Sequence, residues 1–526
     1  MSESKSTTWS PLRLPLFRAL WLAAVASNVG TWMHNVGAEW LMTTLSPTPF
    51  VVALMQTAET APTFLLALPA GALADIVDRR RLLIFSQAWM LCAAVALAAS
   101  ALVGLTSPAV LLLLTFALGL GAAMNAPAWQ AIVPELVGRD ELASAVSLNS
   151  VAFNIARALG PALGGMVVAA SGPWAVFLLN SLSFVGIIIV IYRWRRERAE
   201  SISPAERVLG AIRAGLRYAR HAPELRNVLV RTGVFALCAS ALWATLPLIA
   251  RKEMGLGAFE YGVLLGGLGA GAIVGAFVLP KARRTVSINL LVVLGTIIFS
   301  GATLALAYVR AYWLLCAAML AGGVAWMTTM SSFNISVQTD VPEWVRARAL
   351  ALYLLVFFGS LAAGSAAWGA VAEHVGIPTA LLCAASALIA GLAFTPPFPL
   401  RGGEGLDLNP SLHWSEPTFV YEPHPEQGPV LVTVEYLIDP ARAEEFARAM
   451  QDVKRIVRRD GATRWGLFND TANPGRFLET FLVESWAEHM RQHARVTNED
   501  RAAQERARSF HLGDAPPVVT HLVAGR

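Results

Sequence analysis

The stretch GALADIVDRRR, residues 71–81, is where a long apolar run meets a dense cluster of charge. Five charged residues fall within seven positions, namely Asp75, Asp78 and the three arginines 79–81. The preceding residues 49–70 carry one ionisable side chain, Glu59. A helix needs about 20 mostly apolar residues to cross a bilayer. The stretch therefore predicts the end of a membrane-spanning helix at a charged membrane surface.

The same pattern recurs through most of the chain. Of the 526 residues, 55% are hydrophobic and 15% are charged, whereas soluble domains carry about 25% charged residues. Backbone groups inside lipid must pair within their own segment, so such runs predict α-helices. We predict an all-α membrane fold with twelve spanning helices near residues 17–43, 49–72, 82–105, 108–129, 145–170, 174–193, 227–250, 260–280, 287–309, 311–333, 348–372 and 377–396.

The composition changes near residue 398, where the chain begins to read like a soluble protein. A basic segment also divides the apolar helices into two sets of six. These changes predict six segments: a cytosolic N-terminal segment (1–16), a first six-helix half (17–193), a partly amphipathic central linker (194–226), a second half (227–397), a second linker (398–428) and a soluble α+β domain (429–526).

Basic residues are distributed unequally between alternate loops. With the N-terminus in the cytoplasm, the outer loops hold only Arg251, Lys252 and Arg310, and the other Lys and Arg near the helices lie inside. This bias predicts a multi-pass protein of the bacterial inner membrane with both termini in the cytoplasm. The net charge of +5 is then mainly a topology signal. We therefore predict the lipid bilayer, and not nucleic acid, as a partner.

The two halves repeat one another. QAIVPELV (130–137) and QTDVPEWV (338–345) both read Q-x-x-V-P-E-x-V and begin 208 residues apart. GALADIVDRRR has a fainter counterpart, GAFVLPKARRT, at 275–285. Both repeated motifs fall in inner loops, so the halves share one orientation. Parallel six-helix repeats are typical of one large class of secondary transporters.

At this point the sequence resembles the major facilitator superfamily, and within it the transmembrane secretion effector branch that includes siderophore exporters. The resemblance covers about residues 10–400. The loop motif departs from the family pattern at Ile76 and Asp78. The resemblance implies that this loop ties the two halves together on the cytoplasmic side when the transporter opens outward. A plain positive stop signal is the alternative for the arginines. The matching residues are Gly71, Leu73, Asp75, Arg79 and Arg80.

The predicted fifth helix carries a second motif, ARALGPALGG, at 156–165. It resembles the G-P-x-x-G-G pattern of drug–proton exporters in the same superfamily, which implies export. Pro161 removes a backbone hydrogen bond. Gly160 and Gly164 lie one turn apart and allow a neighbouring helix to approach closely, with Gly165 next to them. Close packing without a transport role is the alternative.

Ionisable groups at mid-membrane depth are costly and usually functional. Arg157 lies on the fifth helix and shares a face with Asn154, and Glu59 lies near the middle of the second helix. His34 and Glu39 lie on the first. We predict that these five residues bind substrate or protons, with Arg157 paired to Glu59 or Glu39. Structural pairing without a role in transport is the alternative.

The soluble part reads β-α-β-β-α-β, which predicts a small ferredoxin-like sandwich. It resembles the small domains of the antibiotic-biosynthesis-monooxygenase group, and that resemblance implies pairing as a homodimer. His489 and His493 lie one helical turn apart, but a third metal ligand is not evident. We therefore predict no metal and no cofactor.

Taken together, these features predict a secondary active transporter and not an enzyme. We expect proton-coupled export, by alternating access, of a small organic molecule that is drug-like, a secondary metabolite or a siderophore. Two alternatives stay open from the sequence alone. The soluble domain could be a cofactor-free monooxygenase-like enzyme acting on the substrate, or the chain could be a membrane sensor.

Overall fold

A computed structural model describes residues 9–194, 208–403, 405–414 and 423–524 of the chain. Over the described residues, thirteen α-helices precede the C-terminal sheet domain: α1 (Pro15–Leu45), α2 (Pro49–Ile76), α3 (Arg79–Leu102), α4 (Pro108–Leu136), α5 (Leu142–Ser171), α6 (Pro173–Arg193), α7 (Val208–His221), α8 (Pro223–Leu248), α9 (Ala258–Ala282), α10 (Ile288–Tyr308), α11 (Tyr312–Thr339), α12 (Glu343–Val375) and α13 (Ile377–Ala393).

Ten of these described helices are long and apolar enough to span a membrane. Helix α13 is apolar but has only 17 residues, and α1 also lies outside the ten. Helix α1 has 31 residues, but its mean hydropathy is reduced by polar residues that include Asn28, Asn35 and Glu39. The observed helices agree in position with the predicted runs, and ten of them have the length and composition of a membrane span.

The ends of the helices follow local chemistry. Five of them, α1, α2, α4, α6 and α8, begin with a proline as the first helical residue, where the missing N–H leaves no donor unpaired. Helix α3 begins because Oδ1 of Asp78 accepts the backbone N–H of Arg81 at 3.0 Å. Asp78 therefore caps a helix at the position where the family pattern has glycine.

One turn shows the repeat directly. Gly172 ends α5 with φ of +90°, and Gly376 ends α12 with φ of +86°. Only glycine adopts this backbone region at little cost. The two residues occupy the same place in the two halves, between the fifth and sixth helices of each. The duplication predicted from the loop motifs therefore extends to a turn on the other side of the helices.

The chain forms two structural units. Unit 1 comprises Met1–Ala205, Val230–Phe333 and Tyr353–Pro397, and contains most of the apolar helices. Unit 2 comprises Glu206–Leu229, Asn334–Leu352 and Phe398–Arg526. Unit 2 thus holds the soluble domain together with α7, the start of α8, the end of α11 and the start of α12.

Within unit 2, the soluble domain contains four strands and three helices: β1 (Val430–Leu437), α14 (Ala443–Asp460), β2 (Arg464–Asn469), β3 (Arg476–Val483), α15 (Trp486–Arg495), α16 (Asn498–Arg508) and β4 (Val518–Val523). The sheet is antiparallel with strand order β2-β3-β1-β4. Alternate residues of β3 are buried, so one face of the sheet packs against a core. The small sheet domain expected from the sequence is therefore present.

Two details of unit 2 differ from the predictions. Part of the segment predicted as a linker binds the domain: the backbone N–H of Ser411 donates to the carbonyl oxygen of Val496 at 2.9 Å. The sequence of the central linker places Val208, Ile212, Leu216 and Tyr218 near one face of a helix, but Leu216 is exposed and Tyr218 is buried. The reason is geometric, since residues two apart on a helix point in nearly opposite directions. The side chains of Val208 and Ile212 lie outside the described residues.

Candidate functional site

The loop motif lies at the junction of α2 and α3. The side chain of Asp75 lies outside the described residues. Gly71 has open space around it: a Cβ atom built there would meet no atom of the described residues within 4 Å. Leu73 packs against the apolar cluster around Leu82 and Ile187. In this conformation, therefore, none of the described residues lies against the glycine of the motif.

The two motif arginines bind partners within the first half. The Arg79 guanidinium donates to Glu135 at 2.7 Å and to the carbonyl oxygen of Ala131 at 3.2 Å, both on α4. Arg80 donates to the carbonyl oxygens of Ile191 (3.0 Å) and Tyr192 (2.5 Å) at the end of α6, where a cation complements the helix dipole. The arginines thus join α3 to α4 and α6. Glu135 belongs to the first Q-x-x-V-P-E-x-V copy, a link that the sequence did not reveal.

The helix-five motif holds α5 between α1 and α9. A Cβ atom on Gly160 would lie 2.5 Å from Cβ of Trp32, and one on Gly164 would lie 2.7 Å from Cα of Met33. On the other side, a Cβ atom on Gly165 would lie 2.4 Å from the carbonyl oxygen of Ala258. Such distances are far below van der Waals contact, so only glycine allows these approaches.

Proline 161 takes part in the same contact through its backbone. A Cβ atom built on Gly262 of α9 would lie only 2.4 Å from the carbonyl oxygen of Pro161. Pro161, Gly164 and Gly165 are all buried. The motif therefore forms the contact of α5 with α9, which belongs to the second half.

A second contact between the halves joins α2 to α12. Thr57 donates to the carbonyl oxygen of Ala362 at 2.9 Å. A Cβ atom on Gly369 would lie 2.4 Å from Cβ of Ala53, and one on Gly359 would lie 2.7 Å from the ring of Phe64. The two halves therefore meet along α5 with α9 and along α2 with α12.

Glu39 lies in a cross-half contact near the end of α1. Its carboxylate accepts a hydrogen bond from the hydroxyl of Tyr261 on α9. Trp40 stacks on the Tyr261 ring with centroids 5.8 Å apart. Arg251 lies over the Trp40 ring at 5.2 Å and donates to the Thr43 hydroxyl at 3.2 Å. Together these groups close the α1–α2 loop side of unit 1.

A loop contact strengthens this closure, since Lys252 donates to the carbonyl oxygen of Pro47 at 2.5 Å. Arg251 and Lys252 are two of the cations that the sequence assigned to outer loops. Their part in a contact between the halves was not predicted. We refer to the side chains of Glu39, Trp40, Arg251 and Tyr261 as the loop-side gate.

Glu59 faces α1 within the first half. Its Oε2 accepts from Asn35 at 3.4 Å, whereas its Oε1 is buried without a hydrogen-bond partner among the described residues. Both ring nitrogens of His34 are likewise buried and unpartnered in that part of the chain, and its ring lies 4.6 Å from that of Phe177. Buried polar atoms normally have partners. His34, which lies against α6, and Glu59, which lies against α1, are therefore two separate places where a water molecule or a substrate can supply the missing hydrogen bond.

Arg157 and Asn154 lie apart from the carboxylates. Over the described ranges, Arg157 makes no ion pair with Glu59 or Glu39, and its backbone oxygen contacts Gly269 on α9. Asn154 donates to the carbonyl oxygen of Ser150 on its own helix at 2.8 Å. The predicted pairing of Arg157 is therefore not present in this conformation, because Glu39 and Glu59 take Tyr261 and Asn35 as partners instead.

The histidines of α15 lie in the soluble domain. The His489 ring is 5.0 Å from that of His493 and 4.8 Å from that of His521 on β4. Burial lowers the pKa of His489 and His493 to about 4, so both are neutral at neutral pH. Among the described residues no group of three His, Cys, Asp or Glu side chains has a metal-binding arrangement.

Glu479 is a buried carboxyl that the sequence did not identify. It faces the core from β3, is 2% exposed, and accepts from Nε1 of Trp465 (2.8 Å) and the hydroxyl of Tyr436 (3.3 Å). Burial raises its pKa to about 7, although the two hydrogen bonds act in the opposite direction.

The model of the family described as "Transmembrane secretion effector" matches residues 6–526. The chain belongs to this family of the major facilitator superfamily. The resemblance inferred from the loop motif is thus confirmed. The match and the relatives support a transporter and not an enzyme.

Three curated relatives of this secretion effector transport small molecules, according to their names. The multidrug efflux pump Tap of Mycolicibacterium fortuitum is 27% identical over 72% of this chain and 93% of its own. The enterobactin exporter EntS of Escherichia coli is 25% identical over 64% of this chain and 81% of its own. The staphyloferrin A transporter of Staphylococcus aureus is 21% identical over 66% of this chain and 87% of its own.

Solved transporter structures share the fold. The nucleoside transporter NupG has a TM-score of 0.61 at 13% identity and covers 73% of this chain and all of its own. A D-xylose–proton symporter has a TM-score of 0.58 at 13% identity, covering 75% of this chain and all of its own. At such identities the likeness concerns the fold alone. The secretion effector is thus a multi-pass transporter built on the major facilitator fold.

Proposed function

We propose that this secretion effector is a proton-coupled exporter of a small organic molecule that works by alternating access in the bacterial inner membrane. One observation carries the proposal. The loop-side gate is closed, while a Cβ atom built on Gly71, at the opposite ends of the helices, would meet no atom of the described residues within 4 Å. This combination is what a transporter closed on one side and open on the other requires.

The topology forms part of the same proposal. We place both termini in the cytoplasm, so the gate faces outward and the Gly71 motif faces inward. We also count α1 and α13 with the ten established spans, which gives twelve. The 31 residues of α1 exceed the length needed to cross a bilayer, and its polar residues contact other helices. In the opposite state, Gly71 and the undescribed Asp75 side chain would meet the second half.

Proton coupling is proposed to act through Glu39 and Glu59. When Glu39 is charged, its hydrogen bond from Tyr261 holds α1 against α9. Proton binding from outside removes that charge and weakens the hold, which favours opening. Glu59, with one unpartnered oxygen, is the second proton or substrate site. His34, Asn154 and Arg157 stay candidates for contact with substrate. His34 lies on α1, Asn154 and Arg157 lie on α5, and these two helices pack against each other.

The substrate class rests on the relatives. Two are named for siderophores and one for multidrug efflux. We propose a compound of this kind, a drug-like molecule, a secondary metabolite or a siderophore, moved outward. The alternative that the soluble domain is an enzyme is not favoured, because the family consists of transporters.

For the soluble domain we propose a ferredoxin-like sandwich that pairs with a second copy. The antiparallel order β2-β3-β1-β4 with helices on one face supports the fold. The opposite face carries exposed apolar side chains, namely Leu437, Phe468, Val518 and Leu522. Such a face is typical of an interface. Phe468→Arg is expected to convert the dimer into a monomer, which light scattering would detect as a halved molar mass. A molar mass equal to that of wild type would contradict pairing through this face.

The transport proposal is tested in proteoliposomes with an imposed pH gradient. A panel of lipophilic, antibiotic-like and siderophore-like compounds is supplied, and accumulation against the gradient is measured with and without an uncoupler. Accumulation of one class that the uncoupler abolishes is expected. Accumulation that ignores the uncoupler would contradict proton coupling, and no accumulation of any class would contradict the proposed substrate range.

A further inference from the structure

The two copies of the Q-x-x-V-P-E-x-V motif are used differently. In the first copy, Ile132 is fully buried in an apolar cluster and Leu136 packs against the same cluster. The equivalent positions of the second copy are Asp340 and Trp344. A charged residue and a large aromatic residue have thus replaced two packing residues of the first half. Both lie in unit 2, where they contact parts of the chain that the first half lacks.

Asp340 binds the segment that leads to the soluble domain. It is 3% exposed, and its two oxygens accept the backbone N–H groups of Gly402 (3.2 Å) and Gly403 (2.6 Å). A buried carboxylate is costly without such donors. Gly403 has φ of +83°, and a Cβ atom on it would lie 3.0 Å from Cβ of Thr339. The backbone at 402–403 is therefore shaped to fit against the end of α11.

Trp344 binds the soluble domain itself. The guanidinium of Arg495, on α15, lies over the Trp344 ring at 4.5 Å. Arg495 is 6% exposed, donates to the carbonyl oxygen of Asp460 at 2.6 Å and pairs with Glu488 at 2.7 Å. A cation held this firmly on an aromatic face makes a specific contact.

Helix α7 enters the same contact. Arg217 pairs with Glu488 at 3.0 Å, and Tyr218 meets Trp344 edge-on with ring centroids 5.7 Å apart. Arg459 of α14 lies over the Tyr218 ring at 5.6 Å. Burial by itself would raise the pKa of Glu488. The hydrogen bonds and charges of Arg495 and Arg217 have a larger, opposite effect, so the pKa lies below its ordinary value. Glu488 is therefore charged and shared between α7 and α15.

The contact consists of charged pairs and cation–π pairs, and a cavity of about 320 Å³ lies beside it. The cavity is lined by side chains from α7, α14, α16 and the turn after α11, among them Tyr218, Asp340, Arg459 and Asp500. Charged groups regain their hydration when such a contact opens. An interface of this kind can open and close again, unlike one formed by close apolar packing.

We propose that the second motif copy is a docking site for the soluble domain, which acts as a reversible clamp holding α7 to the turn between α11 and α12. Helix α7 belongs to the segment that connects the two halves, and α11 and α12 belong to the second half. While docked, the domain restrains these elements relative to one another. Events at the soluble domain thereby control the transport cycle. This inference does not depend on the substrate or on proton coupling.

The test restores the residues of the first copy in the full-length protein in nanodiscs. Asp340→Ile with Trp344→Leu removes both contacts while keeping residues that the first half tolerates at these positions. Glu343→Gln is the matched control, because its side chain is 90% exposed and lies in the same motif. Amide hydrogen exchange is measured for α7 (residues 213–221) and α15, and transport is measured in parallel.

We expect exchange in both helices to rise at least tenfold in the double variant and to stay unchanged in Glu343→Gln, with an altered transport rate in the double variant alone. A second variant, Glu488→Gln, guards against misfolding at the α11–α12 turn and is expected to raise exchange in α7. Unchanged exchange in all variants would overturn the docking site. Raised hydrogen exchange with an unchanged transport rate would overturn the claim that docking of the domain controls transport.

Discussion

Replacing Tyr261 with Phe removes one hydroxyl from the loop-side gate and leaves the ring in place. The hydroxyl donates to the Glu39 carboxylate, which joins α1 of the first half to α9 of the second. Stacking of the ring on Trp40 remains. The change therefore isolates the charged hydrogen bond from the packing around it.

The size of the effect follows from the type of bond. A hydrogen bond to a charged group contributes about 1.5–3 kcal/mol. If the bond exists only in the closed state, its loss changes the ratio of closed to open molecules by about 10- to 150-fold, because about 1.4 kcal/mol corresponds to tenfold. If the gate is closed in nearly all wild-type molecules, it should be open in a readily detected fraction of Tyr261→Phe molecules.

The assay is a distance measurement between spin labels at positions 47 and 254, on the two sides of the gate. Tyr261→Phe is expected to populate a second, longer distance, and Glu39→Gln should do the same. Tyr312→Phe is the control, because its hydroxyl donates at 3.3 Å to an uncharged carbonyl oxygen, that of Glu260. A distribution that is the same in Tyr261→Phe and wild type would refute the role of this bond in the gate.

Three further outcomes are expected. Gly164→Leu should destabilise the protein by about 1–3 kcal/mol through overpacking, because Cβ would lie 2.7 Å from Cα of Met33; a thermal transition equal to that of wild type contradicts this. Gly71→Leu places a side chain in free space, so the variant should keep the wild-type thermal transition. It should lose transport, because the proposed opposite state brings Gly71 against the second half. Active transport by this variant would show that the α2 end never closes. The soluble domain should lose stability as pH rises from about 4.5 through 7, since Glu479 is favoured in its neutral form; the loss is about 3 kcal/mol. Exchange of β3 amides, corrected for the intrinsic pH effect, should show this loss in wild type and not in Glu479→Gln; equal slopes for the two proteins would refute it.

The sequence predicted the membrane architecture well because hydropathy and charge act locally along the chain. Apolar runs of the right length indicated the positions of the helices, and the glycines 160, 164 and 165 indicated where helices approach closely. The loop motif indicated the family for a similar reason, since its residues are adjacent in sequence. Each of these signals can be read without knowing which helices become neighbours.

The partners of charged residues could not be predicted in the same way. Arg157 was paired with Glu59 or Glu39 on residue type alone, whereas Glu39 meets Tyr261, more than 200 positions away. The Glu135 partner of Arg79 was equally hidden. Glu479 read as one polar residue in an alternating strand, and its burial depends on which sheet face packs inward. Comparison of the two motif copies at Asp340 and Trp344 is the signal that could have located the docking site.

The most direct test of the account is proton movement during transport in inside-out vesicles. The vesicle interior is acidified, a compound that the transporter accumulates is added, and the pH gradient is followed by fluorescence. We expect the compound to dissipate the gradient with wild-type protein and to leave it intact with Glu59→Gln, while Tyr312→Phe behaves like wild type. Uptake of the compound by the wild-type protein without loss of the gradient would contradict proton-coupled export.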